Sequence, residues 1–121
     1  SKIMKKLLLS ICMLITMTSY SQISKELPGI WKGEYSSHYV FVVVNEEEKL
    51  QFTNVSWEEG NILKEEVLEK EKEHIITQIY NPENDWWVAI KYTMIDKNTV
   101  QCEFSGDTDN VSIYKRQYIT N

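Results

Sequence analysis

The sequence predicts an all-β fold, an antiparallel up-and-down barrel of eight strands preceded by a signal peptide. Three observations lead there. Apolar and β-branched runs recur at intervals of about 12 residues from Ile30 onward, each closed by turn-forming residues. No segment between them carries convincing helical spacing. A short apolar stretch behind two lysines lies ahead of them, with the form of an export signal.

The export signal comprises residues 1–21. Met4 is followed by Lys5 and Lys6, then by an uncharged run from Leu7 to Met17. Ser19 and Ser21 supply small residues at the −3 and −1 positions, which predicts cleavage after Ser21. As a helix the apolar run would reach only about 16 Å, while a bilayer core needs roughly 20 residues. It therefore predicts a cleaved signal, and no membrane span after cleavage. Cys12 lies inside the apolar run rather than behind it, which argues against a lipid-modified cysteine. Ser1, Lys2 and Ile3 precede the expected start at Met4 and read as a scar or upstream read-through. Residues 22–121 form the predicted barrel domain, secreted or periplasmic.

The strands follow in order after a short lead-in at Lys25–Gly29. Ile30 to Tyr35 ends at Ser36-Ser37, and Tyr39 to Val44 is a continuous β-branched and aromatic run closed by Asn45–Glu48. In Leu50 to Trp57 the apolar residues change parity, Leu50 and Phe52 before Thr53-Asn54, Val55 and Trp57 after. That change predicts a bulge. Ile62 to Lys70 has helix-favouring Lys, Glu and Leu, but its apolar pairs Ile62-Leu63 and Val67-Leu68 suit a helix face poorly, which predicts an exposed strand. Ile75 to Tyr80 ends at Asn81-Pro82-Glu83-Asn84. Trp86, Val88, Ile90, Tyr92 and Met94 then share one face. Val100, Cys102 and Phe104 face inward, and Val111 to Tyr118 closes the chain. Short connections make successive strands antiparallel neighbours. Eight such strands can close and remove their edges.

Composition narrows the function classes. The formal charge is −5, and loss of Lys2, Lys5 and Lys6 with the signal lowers it to −8. An acidic domain without a basic stripe argues against nucleic acid as a partner. Cys102 alone follows the signal, so no internal disulfide is expected and the thiol is read as a buried small apolar group. His38 and His74 abut strands and read as strand-end surface residues, with no metal site expected. Asp107-Thr108-Asp109-Asn110 reads as a hairpin loop. Glu46–Glu48, Glu58-Glu59 and Glu65-Glu66 read as solvated turns and outer faces. Asn54-Val55-Ser56 and Asn110-Val111-Ser112 match the glycosylation sequon, read here as chance behind a bacterial-looking signal. With no nucleophile elbow and no glycine-rich phosphate loop, no catalytic residue and no cofactor is expected, and the protein is read as a non-enzyme.

Gly29-Ile30-Trp31 opens the first strand, and Ser112-Ile113-Tyr114-Lys115-Arg116 lies in the last. This pairing resembles the lipocalin and calycin group. The resemblance implies that Trp31 plugs the barrel base with Arg116 packed over its ring, a cation–π contact added to apolar burial. The chain lacks that group's T-D-Y motif, C-terminal helix and disulfide.

The aromatic content points to binding. Phe41, Phe52, Trp86, Tyr92 and Phe104 are the candidate inward-facing, ligand-binding residues. Aromatic residues of this size can line a pocket for a small apolar ligand. They can equally fill the barrel, in which case the protein is an interaction module or inhibitor with a protein partner. Trp57 and Trp87 are expected outside, where adjacent exposed aromatics would mark a contact surface.

Overall fold

A computed structural model describes residues 22–118 of the chain. The signal segment, residues 1–21, and its cleavage site lie outside the described residues. Eight strands form a closed antiparallel barrel in chain order. They are β1 (Gly29–Gly33), β2 (His38–Val44), β3 (Leu50–Ser56), β4 (Asn61–Lys70), β5 (His74–Asn81), β6 (Trp86–Asp96), β7 (Thr99–Gly106) and β8 (Asn110–Gln117). Closure comes from β1 pairing with β8, Trp31 opposite Arg116 and Gly33 opposite Tyr114.

The period-2 pattern places the core. Trp31, Val40, Val42, Phe52, Ile75, Ile79, Val88, Ile90, Tyr92, Val100, Cys102 and Tyr114 point inward and are buried. Their neighbours in sequence face out. β4 is a strand despite its helix-favouring composition, because it pairs with β3 on one side and β5 on the other. Those ladders outweigh the small propensity difference. A register shift between Val67 and Glu69 gives it one irregularity, and a second lies between Met94 and Asp96.

The bulge expected at Thr53-Asn54 is absent. β3 keeps an unbroken register with β2, from His38 opposite Ser56 to Val44 opposite Leu50. The inward positions continue as Leu50, Phe52, Asn54 and Ser56, and Val55 and Trp57 face out. The change in apolar parity arises because the inner face turns polar at that end of the barrel.

Among the described residues a short helix, α1 (Ile23–Glu26), precedes the barrel, where the sequence suggested only a lead-in. It closes the lower end. Ile23 and Leu27 are buried with the core, and Ile23 N–H donates to the Lys72 carbonyl at 3.0 Å. Trp31 is buried above them and its Nε1 donates to the Leu27 carbonyl at 2.8 Å. The Arg116 guanidinium carbon lies 4.3 Å from the Trp31 ring centroid. Arg116 also donates to the carbonyls of Pro28 at 2.8 Å, Lys97 at 3.1 Å and Glu26. One side chain thus ties helix, first strand and a lower turn together. Gly29 has φ +145°, and a Cβ there would sit 2.5 Å from an Arg116 nitrogen, so the glycine makes room for the guanidinium. Among the described residues no helix is long and apolar enough to cross a membrane.

Candidate functional site

The upper end of the barrel is open. It is bounded by the four turns opposite α1, and each contributes a lining residue: Ser36, Glu59, Asn84 and Thr108. The cavity there has a volume of about 540 Å³, within the size range of small-molecule sites. In an up-and-down barrel the ends of odd strands and the starts of even strands meet at one end. His38, Asn54, Ser56, Asn61, Asn81, Trp86, Asn110 and Ser112 occupy those positions and line the cavity. Leu63, Ile79, Phe104 and Tyr114 form its lower, apolar part.

The lining mixes neutral polar side chains with an apolar surface in about equal measure. Five asparagines, three serines and a threonine face the cavity, and among the described residues no lysine or arginine does. Several amides are already anchored at one end. Asn54 donates to Glu65 at 3.4 Å, Asn61 to Glu59 at 3.2 Å and Asn110 to Ser112 at 3.1 Å. The side-chain oxygens of Asn81 and Asn84 accept from the backbone N–H groups of Glu83 at 3.1 Å and Trp86 at 3.0 Å, both turn contacts. The Trp86 indole is steadied by Nε1 donating to Thr108 Oγ1 at 3.3 Å. Ser56 Oγ is buried and, among the described residues, has no hydrogen-bond partner.

Beneath the cavity lies a buried carboxylate. Glu65, on the inner face of β4, is only 7% exposed. Its Oε1 accepts from Tyr92 OH at 2.6 Å and Thr77 Oγ1 at 2.7 Å, and its Oε2 from Asn54. Burial raises its pKa above the ordinary carboxylate value, and the three donors oppose that rise. Burial, with the negative charge of Glu65 second, drives the Tyr92 phenol well above its usual range. The Cys102 thiol is pushed up by burial and then by Glu65, which makes it a poor nucleophile.

The five aromatic candidates divide three ways. Trp86 and Phe104 line the cavity. Phe52 and Tyr92 fill the barrel below it, their ring centroids 5.1 Å apart. Phe41 is on the outer face, because Val40 and Val42 take the inward positions of β2; it stacks on Tyr39 at 6.4 Å. Trp57 and Trp87 are both outside but do not adjoin, since β4 and β5 separate their strands. Trp87 packs over Gly106 and donates to Gln78 at 3.0 Å. His38 and His74 start strands as expected, His38 at the cavity rim and His74 against Glu69 at 3.0 Å. The Asp107–Asn110 segment spans the turn into β8, with Asp107 accepting from Trp87 N–H at 2.8 Å.

Glu65 is a correction to the sequence reading, which put Glu65-Glu66 on an outer face. Only Glu66 lies there, bonded to Gln78 at 2.8 Å. Glu65 shares parity with the inward Leu63, two residues before it on β4, and that parity was the available signal. The polar rim was missed for a related reason: Asn54, Ser56, Asn61 and Asn81 share parity with inward apolar neighbours. No protein-family description, curated protein or solved structure matches the chain.

Proposed function

We propose that the protein is an exported, lipocalin-like, non-enzymatic carrier that takes a small molecule into the open end of its barrel. One observation carries this reading: the two ends of the barrel differ. The lower end is capped by α1, Leu27, Trp31 and Arg116, with a recess of about 470 Å³ left between β3 and β4 beside Lys49, Lys64 and Lys70. The upper end holds the cavity of about 540 Å³ between its turns, lined by asparagines and serines and by no lysine or arginine among the described residues. A barrel packed for stability alone has no need of a recess of ligand size lined by polar groups. Titration of isotope-labelled protein with a chemically broad library of small molecules tests the reading. Binding is expected to shift the Trp86 indole and the Asn61 and Asn110 side-chain resonances and to leave the Trp31 indole unmoved. A library that shifts no rim resonance overturns it.

A second reading, an interaction module for a protein partner, draws on the outer face. Tyr39 stacks on Phe41 and meets Trp57 edge-on at 6.3 Å, and Ile62 is exposed on the adjoining strand. Under it, Trp57→Ser with Ile62→Ser abolishes capture of the partner and leaves small-molecule shifts at the rim unchanged. Capture that survives the double substitution removes this reading.

A further inference from the structure

We infer that the ligand of the open end is a neutral saccharide, an inference that rests on the small-molecule reading above. The charge of the lining comes first. Among the described residues no lysine or arginine lines the cavity, His38 is the one side-chain base at its rim and Glu59 the one carboxylate, so a fatty-acid or phosphate anion would enter without a permanent counter-charge. The hydrogen-bonding inventory comes second. Each asparagine amide offers donors at one end and an acceptor at the other, and adjacent hydroxyls on a sugar ring accept and donate in turn. These amides stand on β3, β4, β5 and β8 and on the turn before β6, so they approach from several sides. A ring bearing hydroxyls around its perimeter meets that arrangement.

An apolar ligand would do the reverse. Each amide or hydroxyl desolvated against hydrocarbon without a partner costs about 1–3 kcal/mol, and the rim presents several. Ser56 adds a buried hydroxyl at the cavity wall: the residue is 6% exposed and its Oγ has no partner among the described residues. A χ1 rotation that turns this hydroxyl toward the cavity would exchange an unpaired buried group for one that a ligand hydroxyl can bond. The Trp86 indole and Phe104 supply the remaining element, an aromatic surface for the C–H face of a sugar ring.

The test is calorimetric titration of the protein with glucose, galactose, mannose, N-acetylglucosamine and their α- and β-linked disaccharides, with oleate and adenosine run in parallel. Binding of at least one sugar is expected. Asn61→Leu and Trp86→Leu should each weaken it by about tenfold or more, the loss of one good hydrogen bond or stacking contact. Trp57→Leu, on the outer face, should leave it unchanged, and circular dichroism of each variant checks the fold. Binding of oleate or adenosine without any sugar overturns the saccharide inference and leaves the small-molecule reading standing. Sugar binding indifferent to both rim substitutions also overturns it. Failure of every probe, with no rim resonance shifted by the broad library, removes both.

Discussion

Replacing Glu65 with glutamine separates two opposing effects inside the barrel. Burying a carboxylate costs several kcal/mol, while hydrogen bonds to a charged group return about 1.5–3 kcal/mol each. Glu65 has two short donors, Tyr92 at 2.6 Å and Thr77 at 2.7 Å, and one long one, Asn54 at 3.4 Å. Burial outweighs them, so the folded-state pKa lies above the ordinary value of 4.5. The folded protein therefore holds a proton that the unfolded chain releases. This contribution to stability is fully present below pH 4.5 and is lost as pH rises through the folded pKa. Across that window the wild-type chain loses up to about 1.4 kcal/mol per pH unit through this one group. Glu65→Gln keeps the acceptor for Tyr92 and Thr77 and does not titrate. Urea unfolding of both proteins at half-unit steps from pH 4 to 8 measures the difference, which cancels the surface carboxylates common to both. The variant is expected to gain on the wild type as pH rises, then level off. A flat difference would refute the reasoning; a falling one would show that the donors hold Glu65 ionised.

Three further outcomes follow from the same geometry. Arg116→Met removes the cation over Trp31 and the bonds to three carbonyls, and is expected to destabilise the barrel by about 2–4 kcal/mol. Faster hydrogen exchange at Leu27, whose N–H bonds within α1, would accompany it. Phe52→Ala empties a site against Tyr92 below the cavity and should cost about 3–5 kcal/mol in chemical denaturation, with rim resonances little changed. Cys102 should resist an aromatic disulfide reagent at pH 8 in the folded protein and react promptly in denaturant, since its thiol is buried and its pKa raised.

Much of the barrel is legible in the chain because a strand declares itself locally. The alternation of Trp86, Val88, Ile90, Tyr92 and Met94 assigns β6 and its inner face together, and Val100, Cys102 and Phe104 do the same for β7. Even β4 yields to its spacing against its composition. Inward and apolar part company on β3, and consecutive apolar residues hide the inner face of β2. Asn54 and Ser56 face in on β3, so the outward Val55 and Trp57 gave a false bulge, and Phe41 was turned to the wrong face among consecutive apolar residues.

The strand count, the strand order and the core of β6 and β7 follow from sequence, because short turns and period-2 alternation act between residues close in the chain. The site does not. Its rim gathers one or two residues from most of the strands, and Glu65 finds Thr77 and Tyr92 at separations of 12 and 27 residues. Only closure of the barrel, β1 against β8, sets those positions facing one another across a common interior. Closure also makes the two ends unlike, because α1, Trp31 and Arg116 occupy one and leave the amides of the other facing open space.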